Sequence, residues 1–262
     1  MPRYDFAAQR LFVDVPLVDG AAIELDREQA NYLLNVLRLA ENDGILVFNG
    51  ADGEWLARIA PTGRKSARLV VERNVRLQDR PGQNRSRELH YLFAPLKHAR
   101  LDYMIQKAVE MGVARLRPVL TRRTQAQRVN LERMRANAIE AAEQCGIMNI
   151  PQIDDTITLD RLLRDWPADR RLIFCDEDAA VAEPFAALTQ AFSGQSLTEQ
   201  SLPAVAIIIG PEGGFDDSER QALADVPGSV SISLGPRVLR ADTAAVAALA
   251  IVQAAIGDWR TP

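Results

Sequence analysis

The sequence predicts an α/β protein in which a small β-rich domain precedes a larger domain built on a parallel sheet. Three observations support this fold class: short strand-like runs fill the first 78 residues, strands alternate with helices after residue 89, and two apolar runs near the C-terminus each break into a Gly-Pro turn. Such alternation is typical of a parallel sheet covered by helices. The polar segment 79–88 contains Pro and Gly and lacks apolar periodicity, so we predict a linker there, between domains at 1–78 and 89–262.

The N-terminal domain is predicted to contain one helix and about five short strands, enough for a small barrel. The strand at 54–59 alternates apolar and polar residues, and it follows the 44–50 strand closely enough to pair with it as a hairpin. Asp26 is a typical N-cap residue and begins a helix that continues to Arg38. The remaining strands are predicted at 10–13, 69–72 and 75–77.

The first part of the larger domain is predicted to contain three strands and two helices. Gly112 ends the first helix and Gly146 ends the second, because glycine readily adopts the left-handed conformation of a helix C-cap. The second helix begins after Asn130 and is predicted to bury Cys145 in the core. The strands are predicted at 89–95, 113–120 and 171–176, and the first helix covers 101–108.

The first Gly-Pro loop follows the continuous apolar run 204–209, which is typical of a strand buried on both faces of a sheet. Gly210-Pro211 must end this strand, because proline cannot donate a hydrogen bond to a neighbouring strand. Gly213-Gly214 presents backbone amides without side chains, so a ligand can approach closely. Asp216, with Glu219 three residues later, predicts the capped start of a helix.

The second Gly-Pro loop repeats this arrangement. The short strand 230–234 breaks at Gly235-Pro236, and an alanine-rich helix follows over about 242–256. Two such units in succession are expected to place both loops at the carboxyl ends of neighbouring strands, where open α/β sheets bind ligands. Either these are two ordinary strand-to-helix turns, or they form one ligand site. The charged residues set in the loops are Glu212, Arg237 and Arg240.

The C-terminal helix is apolar almost all round, from Ala244 to Val252. A helix without a polar face must be buried. In a chain of this size we expect a second copy to cover part of it, since small alanine side chains allow the close helix approach that suits a two-fold interface.

Charge is distributed unevenly along a chain whose formal net charge is −4. Residues 89–150 hold ten basic and five acidic side chains, whereas residues 151–262 hold eight and seventeen. A basic band also lies within Arg58–Arg87, where nine basic residues face only Glu72 and Asp79. Such bands are expected where a protein contacts phosphate, and they also occur on solvated surfaces, so both interpretations stay open at this point.

The composition argues against several other classes of protein. No apolar run approaches the roughly 20 residues that span a bilayer, and the N-terminus lacks the apolar core of a signal peptide, so we expect a cytoplasmic protein without a membrane partner. Two cysteines and two histidines at scattered positions predict neither a disulfide framework nor a metal site. The glycine motifs of P-loop and dinucleotide sites are absent. Late glycine loops without a lysine suit a neutral or cationic ligand held by backbone groups.

Resemblance to a known family rests on the two glycine loops, which read IGPEGGF and LGPRVLRADTA. They resemble those of the RsmE family, the uracil-N3 methyltransferases of small-subunit ribosomal RNA in the SPOUT superfamily. Three further segments are similar to this family: NYLLNVLRL, PLKHARLDYMIQKAVEMGV and EAAEQCGIMNIP. The resemblance covers nearly the whole chain and is weakest from 151 to 203. Ile147 departs from it, because the family usually carries an arginine there.

The resemblance implies a SPOUT-type parallel sheet with a C-terminal trefoil knot, preceded by a PUA-like β-barrel domain. It implies a homodimer that acts on 16S ribosomal RNA of the small subunit and not on DNA, with S-adenosyl-L-methionine as methyl donor and no metal. A loop after the 171–176 strand is implied as the third wall of the donor pocket. The implied RNA contacts are Arg10, Arg38 and Lys97, and Arg38 is equally well explained as an arginine that the dipole favours at a helix C-terminus. The implied cofactor-binding residues are Gly210, Pro211, Glu212, Gly213, Gly214, Leu234, Gly235 and Leu239.

Methyl transfer from a sulfonium needs no protein nucleophile, so the protein must align donor and acceptor and manage the weakly acidic N3 proton of uracil. We predict that Arg240 is the catalytic cation that stabilises negative charge on the base. Glu212 is the carboxylate inside the first loop, and it either takes part in catalysis or shapes the loop through hydrogen bonds to backbone amides. The alternative functions are a SPOUT ribose 2′-O-methyltransferase and a non-catalytic RNA-binding ribosome-assembly factor.

Overall fold

The computed structural model describes residues 8–63, 66–78, 89–126, 128–176, 179, 183–193 and 204–260. The chain falls into two compact units. The first consists of Met1–Asp79 with Ala142–Ile150, and the second consists of Arg80–Ala141 with Pro151–Pro262. The predicted linker at 79–88 lies outside the described residues.

Among the described residues of the first unit, five strands form one sheet. They are β1 (Arg10–Phe12), β2 (Ala22–Glu24), β3 (Gly44–Phe48), β4 (Glu54–Gly63) and β5 (Ser66–Arg76). Their order is β1-β3-β4-β5-β2, and β3 pairs with β4 as the predicted antiparallel hairpin. β5 is one strand where the sequence predicted two, since its pairing with β4 shifts register instead of breaking. β2 was not predicted, because only Ile23 of its three residues is buried.

The predicted N-terminal helix begins where expected and ends with an unusual winding. α1 spans Arg27–Asn31, and the π-helical segment Tyr32–Val36 continues it. The Asp26 carboxylate accepts a hydrogen bond from the Gln29 backbone amide, and the Gln29 side chain accepts one from the Asp26 amide. This reciprocal cap satisfies two amides that the helix leaves unpaired. The chain leaves the helix through Arg38, whose φ is +56°.

The segment Ala142–Ile150 belongs to the first unit, although we assigned it to the larger domain. Two long-range hydrogen bonds fasten it there. The Phe12 amide donates to the Glu143 carboxylate at 2.8 Å, and the Arg76 guanidinium donates to the Gly146 carbonyl at 2.7 Å.

Cys145 is exposed, so the prediction that it lies in the core is wrong. The prediction extended the buried stripe of Met134, Ala138 and Ala141 by one more turn. Ala142 is also buried, and Cys145 in the next turn lies on the exposed side of the helix.

Seven strands of the described part of the second unit form its sheet, and their pairings are parallel. They are β6 (Leu89–Phe93), β7 (Arg115–Leu120), β8 (Gln152–Ile153), β9 (Ile157–Thr158), β10 (Arg171–Cys175), β11 (Val205–Ile209) and β12 (Val230–Ile232). Their order is β12-β10-β11-β6-β7-β8, with β9 paired to β7. Every residue of β11 is buried, as its continuous apolar run predicted.

The expectation that β11 and β12 are neighbours is wrong, because β10 lies between them. Ile173 of β10 pairs with Ile207 on one side and with Val230 on the other. Parallel strands are joined by crossovers, so strands that follow each other in sequence need not pair. The two glycine loops are therefore separated by the carboxyl end of β10. The trefoil knot stays a prediction, since strand pairing does not determine how the chain threads.

Helices cover the sheet of the second unit. They are α2 (His98–Glu110), α3 (Leu131–Cys145), α4 (Leu159–Arg164), α5 (Pro184–Ala191), α6 (Asp217–Ala224) and α7 (Ala241–Ile256). α4 and α5 were not predicted, because each is short and neither begins with a side-chain cap. No helix within the described ranges is both long and apolar enough to cross a membrane.

α7 packs against α2, α5 and β11, and one of its faces is only partly covered by the described residues. Ala245, Ala248 and Leu249 are almost fully buried. The other face carries partly exposed apolar side chains at helical spacing. They are Val246, Ala247, Ala250, Ile251 and Ala254.

Candidate active site

Three segments of the second unit converge on one pocket at the carboxyl edge of the parallel sheet. They are the end of β10, the loop after β11 and the loop after β12, and the first turn of α7 completes the wall. The pocket holds about 710 Å³ of empty space, including its open mouth.

The first loop owes its shape to two glycines and a helix cap. A Cβ at Gly210 would lie 3.0 Å from the buried ring of Phe215, so only glycine fits there without displacing the ring. Gly214 has a φ of +68°, which glycine adopts without strain. Beyond the loop, Asp216 and Glu219 form the predicted capping box that starts α6. The Glu219 carboxylate also accepts a hydrogen bond from the Arg122 amide at 2.7 Å, which ties the loop to the end of β7.

The second loop turns at Gly235, whose φ is +98°. A Cβ added at Gly235 would have no heavy atom within 4 Å, so the glycine borders open space. Val238 is 87% exposed beside the pocket, an unusual placement for an apolar side chain. Arg240 ends the loop as the N-cap residue of α7.

Of the eight residues predicted to bind the cofactor, Gly213 is the one that does not line this pocket. Its carbonyl accepts a hydrogen bond from the Arg123 guanidinium at 2.7 Å, and a Cβ there would lie 3.5 Å from the Arg123 side chain. Gly213 therefore faces Arg123. The residues that line the pocket are Gly210, Pro211, Glu212, Gly214, Leu234, Gly235 and Leu239.

The third wall of the pocket is the end of β10, at the place that the resemblance implies. Asp176 and Arg220 form an ion pair at 3.5 Å in this wall. Burial raises the pKa of the Cys175 thiol to about 12, and the negative charge of Asp176 is a second cause. The thiol is therefore neutral near pH 7 and is no nucleophile there. In the sequence, the acidic run after the strand and the resemblance both point to the position of Asp176, whereas nothing there indicates Arg220.

Glu212 lies on the boundary between the pocket and a second cavity, and it lines both. Its carboxylate pairs with the Arg100 guanidinium of α2. The side chains of Arg100 and Glu212 are 40% and 49% exposed, so their pairing contributes little to the stability of the fold. The ion pair orients the Glu212 carboxylate toward α2 at the edge of the pocket.

The two arginines of the second loop differ in position. Arg237 is exposed and lines the pocket. Arg240 is exposed and is not among the residues that line it. Arg240 therefore does not belong to the pocket wall, and it is exposed on the surface beside the loop.

The prediction that Arg10 contacts RNA does not fit its placement. Its side chain is only 2% exposed, and its Nε donates to the Glu54 carboxylate at 3.0 Å. Arg10 also donates to the Ala8 carbonyl at 2.7 Å. A guanidinium buried against a buried carboxylate is part of the fold, because a charge is buried at tolerable cost only when it is paired and hydrogen-bonded.

The other two predicted RNA contacts are on the surface. Arg38 is exposed in the first unit. It is one of two non-glycine residues in the described chain that have a positive φ. Lys97 is exposed in the second unit, where it precedes α2 and lines the second cavity. No cluster of three or more His, Cys, Asp or Glu side chains that could hold a metal occurs in the parts of the chain that the structure describes.

Two family models match the chain in the order of its two parts. A model described as the RNA methyltransferase PUA domain matches residues 25–72, and one described as the RNA methyltransferase domain matches residues 83–253. The second match covers more than half of the chain. A relative from Rickettsia conorii, named ribosomal RNA small subunit methyltransferase E, is 32% identical over 246 residues, which are 93% of this chain and 94% of that protein.

Solved structures agree with this assignment. A methyltransferase of Legionella pneumophila in complex with the bound cofactor SAM is 28% identical, with a TM-score of 0.79 over 95% of this chain and 98% of that one. A ribosomal RNA small subunit methyltransferase E from Neisseria gonorrhoeae, bound to S-adenosyl methionine, is 25% identical, with a TM-score of 0.77 over 94% and 97%. The chain thus joins a PUA-like domain to an α/β domain of the SPOUT type, and it belongs to the RsmE family of ribosomal RNA small subunit methyltransferases.

Proposed function

We propose that this chain transfers a methyl group from S-adenosyl-L-methionine to N3 of a uridine in the 16S RNA of the small ribosomal subunit. The observation that carries the proposal is the convergence of both glycine loops and the end of β10 on one pocket. Relatives named for that RNA and solved neighbours that hold this donor support it. When bound, the donor supplies a methyl group that its sulfonium already activates.

The pocket suits such a ligand because the glycines of its loops carry no side chains. Gly235 borders open space, and a Cβ at Gly210 would push against the Phe215 ring. Bare backbone in both loops lets amides and carbonyls reach a ligand directly. We propose that the seven lining residues of the two glycine loops would hold the donor, and that Cys175 and Asp176 would form the third wall of its site. Holding it there is catalysis by alignment.

The protein must also manage charge on the uracil ring as the N3 proton leaves. We propose that the Arg240 guanidinium stabilises that charge from outside the donor pocket, with Arg237 on the pocket side of the same loop. For Glu212 two roles remain: it accepts the N3 proton, or it orients the first loop through its ion pair with Arg100. Cys175 takes no part in proton transfer, because its pKa is about 12.

RNA recognition is proposed to involve both units. Arg38 of the first unit and Lys97 of the second are exposed cations that suit phosphate contact. The match to an RNA methyltransferase PUA domain supports the proposal that the first unit takes part in RNA binding. Arg10 is not proposed as a contact, since it is buried. With ribosomal RNA as substrate, we propose the cytoplasm as the location and no role for DNA.

We further propose that two copies associate through the open face of α7, which carries the five partly exposed apolar residues named above. The three alanines among them are small enough to allow close approach of two helices across a two-fold axis. Ala250→Arg is expected to place a charge in that interface and to yield monomers in sedimentation equilibrium at micromolar concentration. Monomers of the unaltered chain under the same conditions would contradict the dimer.

The test of the function is the chemical position of the transferred methyl group. Purified protein is incubated with small-subunit ribosomal RNA and labelled S-adenosyl-L-methionine, and the RNA is then digested to nucleosides for mass spectrometry. We expect the label in 3-methyluridine. Label in a 2′-O-methylated nucleoside would instead support the ribose methyltransferase. Absence of donor binding by calorimetry would support the non-catalytic assembly factor.

A further inference from the structure

Two cavities continue the donor pocket along the surface of the second unit. The inner cavity shares Pro211 and Glu212 with the pocket, and Lys97, Arg100 and Arg123 also line it. The outer cavity shares Leu96, Lys97 and Ala126 with the inner one, and it extends to Arg128, Asn130 and Arg133 at the start of α3. Together they form one groove, here named the strand groove, which leads from the pocket past the beginning of α2.

The strand groove is basic although the chain as a whole is acidic. Its five cations are Lys97, Arg100, Arg123, Arg128 and Arg133, and its carboxylates are Glu212 and Asp102. Both carboxylates are already neutralised. Glu212 pairs with Arg100, and Asp102 pairs with Arg133 at 2.5 Å. Among the described residues, neither Lys97 nor Arg128 has an ion-pair partner, and both are exposed. A chain with a net charge of −4 can attract RNA only through such a local concentration of positive charge.

We propose that the strand groove binds the sugar-phosphate backbone of the single-stranded RNA that flanks the target nucleotide, and that it reads no base sequence. No aromatic side chain lines either cavity among the described residues, so bases have no platform on which to stack. Arginine and lysine contacts to phosphate position a strand without specifying its sequence. A duplex is disfavoured, because a base must leave its stack to reach a donor pocket at the end of a groove.

The groove is also joined mechanically to the donor pocket. Arg123 holds the Gly213 carbonyl, and Arg100 holds the Glu212 carboxylate, so two groove cations contact the loop that forms a pocket wall. A phosphate bound by Arg100 and Arg123 would therefore lie next to that loop. This inference rests on the proposed function, since it supplies the path by which the RNA reaches the donor.

The test measures binding of a fluorescent single-stranded RNA by anisotropy in the absence of donor, so that no turnover is needed. Lys97→Ala and Arg128→Ala are made singly and together. Arg164→Ala is the matched control, because Arg164 is an exposed arginine on α4 that lines neither cavity. We expect the double variant to bind at least about tenfold more weakly, and each removed contact to reduce the slope of log affinity against log salt by about 0.7. The control should bind like the unaltered chain.

Two oligonucleotides of equal length and different sequence should show the same loss. Unchanged affinity and slope in the double variant, an equal loss in Arg164→Ala, or a loss confined to one sequence would each overturn the proposal. Calorimetry with S-adenosyl-L-methionine shows that each variant is folded, since Lys97 and Arg128 do not line the donor pocket. If the unaltered chain methylates uridine and the groove variants bind RNA normally, the groove proposal is refuted and the proposed function stands. If the chain binds RNA through the groove and methylates no uridine, the proposed function is refuted and the groove proposal stands.

Discussion

Gly235→Val is expected to weaken the binding of S-adenosyl-L-methionine by about 100-fold. A branched residue at the left-handed φ of this position costs about 1–3 kcal/mol, and the loop must distort to relieve that strain. The native φ of +98° lies in a region that branched residues avoid. The added side chain would also enter open space beside the pocket. Isothermal titration calorimetry with the donor measures the effect directly.

Gly20→Val is the matched control for this substitution. Gly20 has a φ of +76°, a Cβ there would also meet no heavy atom within 4 Å, and the residue belongs to the first unit. Backbone strain is therefore comparable, while the pocket is untouched. We expect Gly20→Val to lower the melting temperature and to leave donor affinity unchanged. Equal loss of donor binding in both variants would mean that general destabilisation, and not the shape of the second loop, explains the result.

Arg240→Ala is expected to lower the rate of methyl transfer at saturating substrates by about 100-fold or more, the range seen when one stabilising donor is removed from an active site. Affinity for the methyl donor should stay within about twofold in this variant, because Arg240 does not line the donor pocket. RNA binding should also be retained. Stability should not change, since Arg240 occupies the N-cap of α7 without capping it through its side chain.

Arg237→Ala separates the roles of the two loop arginines. Arg237 lines the pocket, so its removal is expected to act on donor affinity more than on turnover. Single-turnover kinetics with bound donor measures the transfer step for both variants. Normal turnover in Arg240→Ala would remove that residue from the mechanism. If Arg237→Ala lost turnover instead, the stabilising charge would belong to Arg237.

Elements set by neighbouring residues could be predicted from the sequence. The helix caps at Asp26 and Asp216 depend on residues at most three positions away, and both helices begin where these caps predicted. The buried strand 205–209 follows from its unbroken apolar run, and the Gly-Pro turns follow from backbone chemistry that needs no partner. Seven of the eight residues that the resemblance implied for cofactor binding line one pocket, and their contact with a cofactor stays a prediction.

Features that depend on distant partners could not be predicted in this way. Arg10 was predicted to contact RNA, but it is buried and pairs with Glu54, which lies 44 positions away in the chain. Gly213 faces Arg123, 90 positions earlier in the chain, and not the pocket. Cys145 fits the helical spacing of a core position, yet its turn belongs to the other unit. No local pattern carries information about such pairs.

By itself the sequence determined the two glycine loops, the strands that lead into them and the helices that leave them, because each depends on interactions within a few residues. Only the tertiary structure decided that β10 lies between the two strands and that Asp176 and Arg220 complete the pocket. It also decided that a basic groove continues from the pocket. The physical reason is that crossovers set strand order, and strand order brings residues that are far apart in the chain to one edge of the sheet.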